Sequence, residues 1–202
     1  MSDNANTLPA IGAAYLGGFY AGQIMINGIL HGLVVAPKDD GEQKRIQWLE
    51  SEDRVTGADS YFDGAVNTAA MAEAGSPLAT WARGLDLGGQ TDWYIPSQDE
   101  LEIVYRNLKP TAEENYLYAR SGMNVSAVPP TYAYSAVEPS QTQVQAFAAG
   151  GEQAFEDSWY WTSTQHAAYD AYAWLQNFDD GGQNDHYKSA GLRARAVRRF
   201  VI

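Results

Sequence analysis

The sequence predicts an α+β fold with an N-terminal β-hairpin, two helices and a C-terminal antiparallel sheet, joined by long loops. Three local signals support this class: an Asn-Gly dipeptide between two apolar runs, two segments with helix signals, and strand-like segments near the C terminus. With 202 residues, 45% of them hydrophobic, the chain is long enough to bury its own core. We expect one domain at 18–202, preceded by an N-terminal arm at 1–17.

The hairpin is the clearest of these signals. Residues 19–26 and 29–36 are apolar and β-prone, and Asn27-Gly28 separates them. Because both central residues of a tight hairpin turn need a positive φ, Asn-Gly is the strongest short signature of this motif. The arm before the hairpin is either a disordered tail or an oligomer contact, since small apolar residues pack well in such contacts.

Two helices are expected after the hairpin. Residues 65–74 are predicted to form a short helix that ends at Gly75, with Pro77 just beyond it. A second helix is predicted to begin after Ser97, which forms a capping box with Glu100. Apolar residues then recur at helical spacing, namely Leu101, Val104, Tyr105 and Leu108.

The remainder of the chain divides into a long loop and a strand-rich end. Residues 111–158 fit no regular element, and a loop this long within a compact domain is usually functional or mobile. Strands are predicted at about 172–178 and 194–202, with Gly181-Gly182 as a turn between strands. Strand alternation in residues 193–199 (RARAVRR) places arginines on both faces, where they are expected to bridge core carboxylates.

Three blocks in a fixed order carry a family resemblance. The last block contains YWTST at 160–164, Ala173-Trp174, and VRR at 197–199. Before it come DGAVNT at 63–68 and DWYIPSQDEL at 92–101. These blocks resemble the D-G-x-x-N-T, W-R-L-P-T-x-x-E-L, Y-W-S-S-T, A-W and V-R-x-V-R motifs of bacterial and phage C-type-lectin-like domains. The resemblance covers about residues 18–200 and implies that the hairpin and the last strand share one sheet.

The composition of the chain restricts which partners it can bind and in which compartment it is made. A net charge of −12 and a pI near 4.5 disfavour nucleic acid, and no apolar run approaches a membrane span. Without cysteine the chain has no disulfide, thiolate metal site or thiol nucleophile. The acidic, polar N terminus does not resemble a signal peptide, so we expect synthesis in the host cytoplasm.

The expected recognition face is the segment 165–188, which in the resembled family presents the binding surface. No Lys or Arg occurs between Ser121 and Tyr187, whereas eight acidic residues do. Such an acidic, Tyr-rich surface suits neutral glycans or a cationic partner, although it is also compatible with a merely solvated surface. Trp161 and Trp174 are expected to be core anchors. The expected ligand contacts are Gln165, His166, Tyr169, Asp170, Tyr172, Asn177, Asp179, Gln183, Asn184, His186 and Tyr187.

Metal, cofactor and catalytic roles have weak support. Oxygen ligands suited to calcium are offered by Asp179, Asp180, Asn184 and Asp185, but the E-P-N, Q-P-D and W-N-D motifs of calcium-dependent sugar binders are missing. The three histidines are isolated, which disfavours zinc. No nucleophile elbow or phosphate loop occurs, and the pair Glu156-Asp157 is ordinary for an acid-rich surface. We expect no metal, no cofactor and no enzyme activity.

Together these observations predict a non-catalytic ligand-binding module. The preferred setting is the virion, as a phage tail or other surface protein that binds a host-surface glycan or protein. The chain is expected to form a homo-oligomer and to contact other virion proteins. The main alternative is a structural or capsid-decorating virion protein whose same surface contacts neighbouring subunits. An enzyme is a third class. Neither a nucleic-acid partner nor membrane insertion is expected.

Overall fold

A computed structural model describes residues 8–202 and confirms a mixed α+β architecture. Within these residues the helices are α1 Lys38–Gly41, α2 Gly64–Glu73, α3 Pro77–Arg83 and α4 Gln98–Leu108. The strands are β1 Ala14–Tyr15, β2 Gly18–Ile26, β3 Ile29–Val35, β4 Glu42–Gln47, β5 Trp159–Gln165, β6 Tyr172–Asn177, β7 Gln183–Tyr187, β8 Gly191–Arg195 and β9 Val197–Val201. They form two sheets with the orders β1-β2-β3-β9 and β4-β8-β5-β6-β7.

The predicted hairpin is confirmed, as is its pairing with the end of the chain. β2 and β3 pair antiparallel around Asn27 and Gly28, whose φ angles are 50° and 80°. β9 pairs antiparallel with the other edge of β3, so both ends of the domain lie in one sheet. Of the predicted arm, residues 1–7 lie outside the described residues, whereas β1 pairs with the start of β2.

Both predicted helices are confirmed, but the short α1 and α3 were missed. α2 ends before Gly75, and α4 carries both hydrogen bonds of the capping box between Ser97 and Glu100. Pro77 lies beyond the end of α2, as predicted, but it also starts α3, with Ser76 accepting a hydrogen bond as its N-cap. Proline suits this first helical position because its missing N–H would have no helical partner there.

The C-terminal arginines occupy two strands, which corrects the prediction of one continuous strand. The chain changes sheets at Ala196, leaving β8 in the five-stranded sheet and β9 in the four-stranded one. Arg195 is fully buried and donates to the Ala36 and Gln153 carbonyls. Arg198 forms two hydrogen bonds with Asp92 (2.6 and 3.0 Å). The structural role predicted for these arginines is therefore confirmed, whereas the simple alternation of faces is wrong.

The core has two large clusters, one formed by residues of both sheets and one packed against the five-stranded sheet. Apolar residues of β2, β3 and α4 pack with Tyr160 and Phe178, while α2 and α3 pack with Trp161 and Leu175 of the five-stranded sheet. As predicted, residues 111–158 contain neither helix nor strand. Within residues 8–202 no helix has the length and apolar character needed to cross a bilayer.

Candidate functional site

The strands β5, β6 and β7 carry most of the predicted recognition face. β6 is the middle strand of the three, and its side chains alternate between core and surface. Ala173 and Leu175 are buried, whereas Tyr172 and Trp174 are half-buried. Antiparallel pairing places Tyr187 of β7 opposite Tyr172. This end of the sheet therefore presents large aromatic side chains above a packed apolar layer.

Aromatic rings form a continuous row across this surface. His166 stacks on Trp174 with a centroid distance of 5.3 Å and on Tyr169 at 4.7 Å. Tyr172 contacts Tyr169 at 6.0 Å and Tyr187 at 4.4 Å. Tyr169 and Tyr187 retain 61% and 45% exposure, so the row offers ring surface to a ligand. Hydrogen bonding with Tyr187 raises the pKa of Tyr172 to about 12.

Gln165 is a correction to the predicted set of contacts. It is fully buried, and its side-chain oxygen accepts hydrogen bonds from Val55 N and Lys188 Nζ, both at 3.0 Å. Lys188 is itself buried, and its ammonium group lies 4.8 Å from the ring centroid of Trp48. Burial lowers the pKa of Lys188 to about 8. Buried polar groups require hydrogen-bond partners. Gln165 and Lys188 find theirs in the loop after β4 and in each other, and these bonds hold that loop against the predicted recognition face.

Trp174 is a second correction, because it lines a surface cleft and is only half-buried. The cleft has a volume of about 430 Å³ and lies between β6–β7 and the segment 116–119 of the long loop. Its lining residues are Tyr116, Ala119, Trp159, Trp174, Asp180, Gly182, Gln183, Asn184 and Asp185. The side chain of Gln183 is held from below, since it accepts from Gln98 Nε2 (2.8 Å) and donates to Gln176 Oε1 (2.9 Å).

Three predicted contacts have other partners. Asp170 is exposed and forms an ion pair of 3.2 Å with Arg54. Asn177 and Asp179 belong to the turn between β6 and β7, where Asn177 Oδ1 accepts from Asp179 N at 3.1 Å. Burial, followed by the charges of Asp157 and Asp180, raises the pKa of Asp179. This turn is therefore a locally negative structural feature beside the cleft.

The structure thus brings together two groups of predicted contacts. The aromatic row contains His166, Tyr169, Tyr172, His186 and Tyr187, and the cleft contains Gln183 and Asn184. Sequence reasoning missed Trp159, Tyr116 and the surface position of Trp174. Period-two alternation with the apolar residues Ala173 and Leu175 would have placed Trp174 on the opposite side of its strand. Within residues 8–202, no group of three or more His, Asp or Glu side chains is arranged to hold a metal ion.

Comparison with known families identifies the family to which the chain belongs. Residues 40–198 match the Lcl C-terminal domain family over well over half of the 202 residues, and the chain belongs to this family. The match begins in α1 and contains the whole aromatic row and the cleft. No curated protein matches the chain. Family membership supports a lectin-like, ligand-binding type of domain related to the one that the sequence blocks resemble.

Proposed function

We propose that the chain is a non-catalytic ligand-binding module with a C-type-lectin-like fold, and that the aromatic row with the adjoining cleft is its binding surface. The preferred setting is a phage tail or other virion surface, where the module binds a host-surface glycan or protein as a homo-oligomer. The observation that carries this proposal is the run of contacting rings from Trp174 to Tyr187, on β6, β7 and the loop between β5 and β6.

The surface has the physical properties that recognition requires. Aromatic side chains supply large contact areas at small entropic cost, and a few such anchors carry most of the energy of a typical interface. The rings contact one another, so each restricts its neighbours before a ligand binds, which lowers the ordering cost of binding. The lack of Lys and Arg between Ser121 and Tyr187 favours neutral or cationic ligands over polyanions.

A structural role in the virion is the second candidate, and the long loop favours it. Residues of the 111–158 loop expose apolar or aromatic side chains outside the proposed binding surface. Tyr132 is 86% exposed, Val125 84% and Val137 70%. Exposed apolar surface of this kind is typical of contacts between proteins, so this loop is a candidate contact with neighbouring subunits.

The experiment compares two sets of substitutions in the parent particle. Replacing Tyr169, His186 and Tyr187 together with alanine is expected to leave assembly intact and abolish adsorption to the host cell, because these side chains are exposed ligand contacts. The matched control is Tyr132→Ala, which removes an exposed tyrosine outside the aromatic row. This control is expected to adsorb normally.

Two other results would contradict the proposal. If the triple variant fails to incorporate into particles, the row is a subunit contact, and the structural role gains support. If its particles assemble and adsorb fully, the row has neither role. Loss of assembly in Tyr132→Ala would assign the subunit contact to the long loop.

A further inference from the structure

The cleft beside the aromatic row combines aromatic walls with unneutralised acids. Trp159, Trp174 and Tyr116 contribute rings, and Asp180 and Asp185 contribute carboxyl groups. None of its lining residues is Lys or Arg. Within residues 8–202 no ion pair engages either of these two aspartates. A ligand that enters the cleft therefore meets two carboxyl groups that no ion pair within the described residues neutralises.

The basic side chains nearest to the cleft along the sequence have other partners. Lys188, three residues after Asp185, donates to the Asp53 carbonyl and to Gln165 Oε1. Arg120 follows Ala119 of the cleft wall, but its guanidinium group forms an ion pair with Asp99 and lies 5.3 Å from the ring centroid of Tyr61. The Lys109 ammonium donates to the Glu113 carbonyl and to other oxygen acceptors within the long loop. The charge of Lys109 acts on Asp180 from outside the cleft without forming an ion pair. Since no cation lines the cleft, its two carboxyl groups give it an excess of negative charge that a cationic ligand can balance.

These features select a particular ligand chemistry. Anions are repelled, and a primary ammonium ion is strongly hydrated, so its entry between aromatic walls costs solvation. A quaternary ammonium group is weakly hydrated, is attracted by ring faces through cation–π interaction, and is favoured by nearby carboxylates. The volume of about 430 Å³ lies in the usual range for small-ligand sites.

We propose that the cleft between β6–β7 and residues 116–119 binds a quaternary ammonium head group of the choline type. The rings of Trp159, Trp174 and Tyr116 surround the methyl groups, and Asp180 and Asp185 balance the charge. This inference rests on the proposed ligand-binding role of the same surface and assigns a chemical class to its ligand.

The test is calorimetric titration of the purified protein with choline and with 3,3-dimethyl-1-butanol, which has the same shape without the charge. Choline is expected to bind with a Kd of about 1 mM and the neutral alcohol at least about tenfold more weakly. Asp185→Asn keeps the side-chain shape and removes the charge, and it is expected to weaken choline binding about tenfold. Trp174→Leu is expected to weaken it by a similar factor.

The matched control is Asp86→Asn, which neutralises an exposed aspartate that does not line the cleft. Its affinity for choline is expected to equal that of the unmodified protein. Equal binding of choline and the neutral alcohol, no binding of choline, or equal losses in Asp86→Asn and Asp185→Asn would each overturn the inference. If choline fails to bind while the triple variant at Tyr169, His186 and Tyr187 still loses adsorption, the ligand class is wrong and the proposed function stands.

Discussion

Removal of residues 196–202 is expected to abolish folding, because this segment closes the domain. It contributes β9, which pairs with β3 over five residues, and Ala196, which joins the two sheets. Its backbone forms five further hydrogen bonds, with Gly41, Ala36, Tyr94 and Leu30 as partners. A C-terminal tail outside the fold would form none of these bonds.

The size of the loss follows from these contacts. The five hydrogen bonds contribute about 1 kcal/mol each, and burial of Val197 contributes about 1.5–3 kcal/mol. Arg199 pairs with Asp63 (2.7 Å) and lies 3.8 Å from Glu100. Its removal leaves these two buried carboxyl groups without their cation, which destabilises the fold by about 1–3 kcal/mol for each group. The total of roughly 8–14 kcal/mol is comparable to the whole stability of a domain.

The assay is thermal unfolding followed by circular dichroism, with amide dispersion in the proton NMR spectrum as a second readout. The 1–195 protein is expected to lack a cooperative transition. A 1–200 protein is the matched control, because Val201 and Ile202 are 67% and 46% exposed and their loss is expected to cost about 1–2 kcal/mol. A cooperative transition of the 1–195 protein near that of the full chain would refute the role of β9.

Three further predictions concern the stability of the frame. Trp161→Ala is expected to lower the free energy of unfolding in urea by about 3–5 kcal/mol, Trp174→Ala by about 1–2 and Tyr187→Ala by about 0.5 or less, and equal losses would mean that the face is core. Gly28→Val is expected to cost roughly 1–2 kcal/mol in the same assay, because φ at this position is 80°, and an unchanged midpoint would contradict the turn geometry. Since the folded pKa of Lys188 is about 8, below its unfolded value, the unfolded chain holds more protons above that pH. Stability is therefore expected to rise between pH 8 and 9.5 and to do so less in Lys188→Met, whereas identical pH profiles would contradict the burial of this ammonium group.

Local signals in the sequence were sufficient where they act over a few residues. Asn27-Gly28 fixes its turn through backbone sterics, and Ser97 with Glu100 fixes the start of α4. The start of α3 could also have been predicted from the sequence, because Ser76 is a good N-cap residue and proline is favoured directly after it. β4 could not be predicted in this way, because its sequence EQKRIQ lacks an alternation of apolar and polar residues. It forms a strand because it pairs with β8, which is distant in sequence.

The candidate site depended on contacts distant in sequence, and this limited its prediction. Nothing near Gln165 indicates that Val55 and Lys188 bury it, since these partners meet only in the folded chain. One wall of the cleft is formed by Tyr116, which lies in a loop without periodicity. Sequence patterns therefore gave no basis for predicting this wall. The aromatic row was predicted in composition because its residues are close together along the chain.

The most direct test of the binding surface is competition by the purified domain. Excess wild-type protein, added to host cells before the parent particles, is expected to block adsorption, because it occupies the receptor through the aromatic row. The variant with Tyr169, His186 and Tyr187 changed to alanine, at the same concentration and with an unchanged melting temperature, is expected not to block it. Equal blocking by both proteins, or blocking by neither, would contradict the claim that this surface recognises the host.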